Sequence, residues 1–219
     1  IISSINKTVY IYYDLLYSKL YYIIHYIINS ILQYTIYMES DYSNHSTKTY
    51  LIEYNFTLTF LSIIGMTLIE MGSSRHRNSL FIITKNILTV NITIIVWWFF
   101  GAAFAIGTTS SNSLIGTSFF TENSMNLYSH YNNWFKSFNQ CLLSTLIASS
   151  VFAERGNLIV NSIFTFIYSG VIFPIGYFWC LNENGWLYKL GYLDSSGSGV
   201  IHISGAVAGL AGVVFLKSR

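Results

Sequence analysis

Charge is what this sequence has least of. Aspartate, glutamate, lysine and arginine make up 9% of its 219 residues, against roughly a quarter in a soluble domain. So little charge cannot solvate a globule surface. A water-soluble fold is excluded and an integral membrane protein is expected, in line with a mean hydropathy of +0.47. The net charge is only +2, and no basic run or basic patch interleaved with aromatics is present, which excludes nucleic acid as a partner. Cysteine is nearly absent too. Cys141 and Cys180 both fall in apolar stretches, which argues against a disulfide framework and for two buried thiols. No CxxC, HExxH or clustered His/Cys spacing occurs, so no metal and no cofactor is expected. Enzyme motifs are missing as well. GSGVIH is no nucleophile elbow, because position 196 is serine where that motif needs glycine. No glycine-rich loop precedes a Lys-Ser or Lys-Thr pair, and the chain is not expected to be an enzyme.

Proline occurs once and arginine four times, whereas tyrosine occurs 18 times and phenylalanine 16. The scarce residues have GC-rich codons and the plentiful ones AT-rich codons. This usage points to an AT-rich genome. A mitochondrial one fits a product this apolar, with a parasite or an AT-rich bacterium as the competing source. No cleavable signal or Arg-rich transit peptide stands out.

What the chain does have is long apolar runs. Crossing a bilayer takes about 20 mostly apolar residues. Six stretches approach or exceed that length: Leu20–Met38, Leu51–Met71, Leu80–Ile106, Phe135–Ala153, Leu158–Leu181 and Val200–Leu216. Glu53 and Glu70 lie near the ends of the second, and Lys85 near the start of the third. Polar joints separate the runs, and the longest, 107–134, predicts no regular element. The fold class is therefore all-α, a polytopic membrane helical bundle. Residues 1–50 read as an N-terminal extension with one membrane or interfacial helix, and 51–219 as the bundle itself. If the joints alternate sides, seven basic residues (Lys7, Lys19, Arg75, Arg77, Arg155, Lys217, Arg219) face three (Lys48, Lys136, Lys189). The richer side should be cytoplasmic, or the matrix in a mitochondrion, with both termini there.

The stretch LDSSGSGVIHISGAVAGLAGVVFLKSR, 193–219, concentrates the unusual residues. Asp194 precedes a run of small polar residues of the kind that cap helix starts. His202 stands inside the apolar part, where an ionisable group usually faces a cavity or a partner helix. It reads either as a histidine bonded to a neighbouring helix or as a functional one. Gly205, Gly209 and Gly212 belong to a small-residue stripe that lets helices approach closely in lipid.

These residues resemble the fifth-helix signature of the ammonium transporter, methylammonium permease and Rhesus family. GMTLIEMGSSRHRN is similar to that family's first-helix exit, VWWFFGAAFAIG to its second-helix end, VFAER to its third, and NENGWLYKLGYLD to the joint before the fifth. The resemblance covers roughly 51–219, with five motifs in order. It implies an ammonium-transporter-like five-helix half, preceded here by an extra N-terminal helix, and ending where the family's first half ends. In the family a second, inverted half completes the conducting path. By resemblance, His202 matches the first of two pore-lining histidines and Asp194 the carboxylate that supports the entrance. At the entrance the family usually has an aromatic outer gate and a pore tryptophan. Gln140 falls at the first position, or Leu143 with a gap, and without a gap Leu181 falls at the second, with Trp179 two residues from it.

The expected function is that of an integral membrane subunit with a degraded transport site. It would be a structural or accessory part of a larger complex in the mitochondrial inner membrane, with a respiratory complex as the candidate. The alternative is one half of a split ammonium/ammonia channel completed by a second chain. Either way the expected partners are other membrane subunits against the His202 face, with lipids around them. Ammonium or ammonia is a ligand only if transport is retained.

Overall fold

The computed structural model describes residues 45–108, 114–118, 120, 127–154 and 156–216. The chain divides into two compact units, Ile1–Leu51 and Ile52–Arg219. The expected extra helix Leu20–Met38 lies outside the described residues. Every regular element among those residues is helical: α1 (His45–Ser73), α2 (Ser79–Val96), α3 (Ala102–Ile106), α4 (Leu127–Ser149), α5 (Leu158–Ile167), α6 (Phe173–Leu181), α7 (Trp186–Lys189) and α8 (Ser204–Leu216).

Three π-turns join these pieces into longer rods. Trp97–Gly101 links α2 to α3, Tyr168–Ile172 links α5 to α6, and Gly199–Ile203 leads into α8. The first two pack against each other. Pro174 opens α6 just past one of them. A proline removes an N–H and clashes with the preceding turn. The widened turn absorbs both, so the rod continues instead of breaking. Among the described residues, three helices are long and apolar enough to cross a membrane, namely His76–Ile106, Leu158–Lys189 and Gly199–Leu216, and Thr57–Ser73 is a shorter apolar helix.

The central helix, α4, is the least apolar of the rods. It begins at Leu127, well before the expected Phe135, and gives way to a 3-10 turn at Ser150–Phe152. Hydropathy could not mark its start, because LYSHYNN contains no apolar run. It packs on α2, α3, α5, α6 and α8, and Ser137, Cys141, Ser144, Thr145, Leu146, Ala148 and Ser149 are fully buried. Apart from Ser144, its buried hydroxyls return to the helix backbone, as Thr145 Oγ1 does to the Cys141 carbonyl (2.7 Å) and Ser137 Oγ to that of Asn133 (2.7 Å). Small side chains that satisfy themselves let a helix be enclosed on several sides.

Among the described residues, one ion pair lies inside the bundle. Lys85 Nζ is 3.0 Å from Glu70 Oε2 and donates to the Ser149 carbonyl at 3.2 Å. Asn86 Nδ2 donates to Glu70 Oε2 (3.2 Å) and to Thr67 Oγ1 (3.0 Å). A charge buried in this way is held only because it is paired and hydrogen-bonded. The cluster ties α1 to α2 and α2 to α4. Farther along, Asn161 Nδ2 donates to Thr89 Oγ1 at 3.0 Å and ties α5 to α2.

Candidate functional site

The chain enters its last rod through a tight sequence of turns. Ser195–Gly197 forms a 3-10 turn, and Gly197 has φ of +78°. L side chains rarely adopt that conformation. A Cβ at Gly197 would also come within 3.0 Å of Gln140 Nε2 and 3.1 Å of Ile201 Cδ1. Glycine therefore serves both the turn and its packing.

Asp194 anchors the start of the rod. Its Oδ1 accepts from the Gly199 N–H (3.0 Å) and Ser198 Oγ (3.1 Å), and its Oδ2 from the Val200 N–H (3.0 Å). The N–H groups at a helix start have no carbonyl within the helix, and the helix dipole favours an anion there. The carboxylate thus caps the π-turn that carries His202. Among the described residues no hydrogen bond joins the Asp194 and His202 side chains directly. Tyr192 is exposed, and local desolvation, followed by the nearby Asp194 charge, pushes its hydroxyl above its ordinary pKa.

His202 is exposed and, among the described residues, its ring makes no hydrogen bond. It belongs to an apolar surface with Ile203, Val207, Leu210 and Val214, each more than half exposed. Gly205, Gly209 and Gly212 lie toward α4 instead. A Cβ at Gly205 would stand 2.9 Å from the Ser144 carbonyl oxygen, and one at Gly212 2.9 Å from Val151 Cγ1. At Gly209 it would meet Ala148 at an ordinary 3.6 Å. The close approach is made at Gly205 and Gly212.

Beside Asp194 lies a cavity of about 500 Å³. Gln140, Leu181 and Asp194 all line it, together with Lys136, Glu183 and Tyr177. Trp179 is not among the lining residues. Its indole N–H donates to the Leu114 carbonyl (2.8 Å), and its ring stands edge-on to Trp186 at 5.8 Å. Three of the four residues expected at the entrance are therefore gathered, and the fourth fastens a loop. Tyr177 was not singled out from the sequence, yet it is the one aromatic lining this cavity among the described residues. It lies one helical turn before Leu181, so a search at that spacing would have reached it.

Known proteins match this chain along most of its length. The family model described as Ammonium Transporter Family matches residues 50–219. Ammonium transporter 3 of Dictyostelium discoideum is 32% identical over 163 residues, which are 74% of this chain and 37% of that protein. Ammonium transporter 1 member 3 of Solanum lycopersicum is 29% identical over 72% of this chain and 36% of its own length. The crystal structure of Saccharomyces cerevisiae Mep2 superposes with a TM-score of 0.70 at 22% identity, over 78% of this chain and 40% of that one. A structure described as Sensor Amt Protein does so with a TM-score of 0.73 at 25% identity, over 78% and 44%. The chain spans little more than a third of the length of these curated relatives.

Proposed function

The chain belongs to the ammonium transporter family, and from that premise we propose that it forms one half of an ammonium/ammonia conduction path, completed by a second helical half laid over the His202 face. The observation that carries this reading is the Asp194-capped π-turn, which holds an unpartnered imidazole on an exposed apolar face. A rigid, capped turn is a costly way to expose a histidine to acyl chains. It is an economical way to line a narrow path between two halves. The neutral ring can donate from one nitrogen and accept at the other, as passage of ammonia beside it requires.

The test is uptake of labelled methylammonium by vesicles that hold the chain purified, with its covering half, from its native membrane. Uptake above that of empty vesicles is expected, falling at least about tenfold in His202→Ala. No uptake, or uptake indifferent to His202, contradicts the proposal.

A second reading rests on the entrance. Gln140 and Leu181 line the cavity where aromatic faces would attract a cation, and Lys136 lines it too. These residues favour a structural subunit of a larger membrane assembly. The codon-biased composition would place that assembly in a mitochondrial inner membrane, with the basic, matrix side holding both termini. Co-purification with respiratory subunits, without methylammonium uptake, would favour this second reading.

A further inference from the structure

A π-turn gains an extra residue at the expense of regular bonding, and carbonyls around it need other donors. In the turn Gly199–Ile203 the two carbonyls just before His202 accept from hydroxyls, that of Ile201 in addition to the Ser204 N–H. Ser144 Oγ, from α4, donates to the Ile201 carbonyl at 2.8 Å. Ser204 Oγ donates back to the Val200 carbonyl. The Tyr168 hydroxyl, at the start of another π-turn, lies 2.6 Å from Ser144 Oγ and 3.0 Å from Ser204 Oγ. Each hydroxyl has one proton. With both serine protons given to carbonyls, Tyr168 is left as the donor, and its one proton goes to the nearer Ser144 Oγ, with Ser204 Oγ as a longer shared contact. Tyr168 and Ser144 are fully buried, so water cannot take over these bonds.

The consequence falls on His202. Val200 and Ile201 are buried while His202 and Ile203 are exposed. One residue turns an α-helix through about 100°. If the extra residue were lost, the histidine would leave the exposed side and an aliphatic neighbour would take its place.

We propose that Tyr168, Ser144 and Ser204 are positioning residues, which lock the π-turn so that the His202 ring faces the conduction path. This rests on reading His202 as path-lining, and the test separates the two claims. The protein is purified with its covering half and labelled with 15N-histidine. The His202 ring signals are assigned by their loss in His202→Gln, and spectra are taken at one fixed pH. In Tyr168→Phe and Ser144→Ala these signals should shift or split while those of His76 stay in place. Thr89→Ala, which loosens the bundle elsewhere, should leave the His202 signals unmoved. Maximal methylammonium uptake should fall on the order of ten- to a hundredfold at unchanged half-saturation. Tyr168→Phe keeps the ring that fills the core, so it decides the matter if Ser144→Ala does not fold. His202 signals unmoved by Tyr168→Phe overturn the positioning role, even if wild-type uptake depends on His202. Signals that move in a protein without uptake support the positioning role and overturn the conduction reading alone.

Discussion

Asp194 is a formal charge at the rim of an apolar bundle, and three hydrogen bonds account for its place there. Its role is legible in local terms. A carboxylate followed by small polar residues is what a helix start asks for, and the bonds run to backbone N–H groups five and six residues on and to the Ser198 hydroxyl between. Replacing Asp194 by alanine frees two N–H groups at the start of the π-turn and should cost about 1–2 kcal/mol of stability. Asp194→Asn keeps one acceptor and should cost less. Thermal unfolding in detergent checks both, and equal Tm values for the wild type and Asp194→Ala would contradict the capping role.

Among the helices, the Lys85–Glu70 pair joins α2 to α1, and Ser149 extends the tie to α4. Either residue alone reads from the sequence as a charge near the end of an apolar run. Their pairing emerges only when α1 and α2 fold back on each other, since 15 positions separate them. Lys85→Met leaves Glu70 buried without a counter-charge and should cost about 3–5 kcal/mol. The double variant Lys85→Met/Glu70→Gln removes both charges and keeps an acceptor for Asn86, so it should regain most of that loss. The comparison is of midpoint temperatures. A double variant no more stable than the single one would show that the pair does not act as a unit.

For the bundle as a whole, hydropathy located the apolar rods because lipid and core both select apolar residues. Leu80–Ile106, Leu158–Leu181 and Val200–Leu216 each correspond to a rod whose ends differ by at most one residue. The start of α4 escaped, because a helix enclosed by other helices can be rich in Ser, Thr and Asn and leaves no apolar signature. The π-turns escaped as well. They lie where rods pack, with Trp97, Tyr168 and Ile201 buried in them, and no local propensity marks them. Gln140, Leu181 and Asp194, singled out through the family pattern, line one cavity, whereas the lining role of Tyr177 needed the rod to be built. Trp179 bonding to Leu114 depends on a loop whose path no pattern in the sequence describes.

The exposed face of α8 remains the feature that most constrains what the protein does. A photo-crosslinking residue at Val207, which is 59% exposed on that face, reports its neighbour directly when activated in the native membrane. A covalent adduct with polypeptide from a second helical half is the expected result. Adducts with lipid acyl chains alone would mean that nothing covers the His202 face, and that this half lines no path.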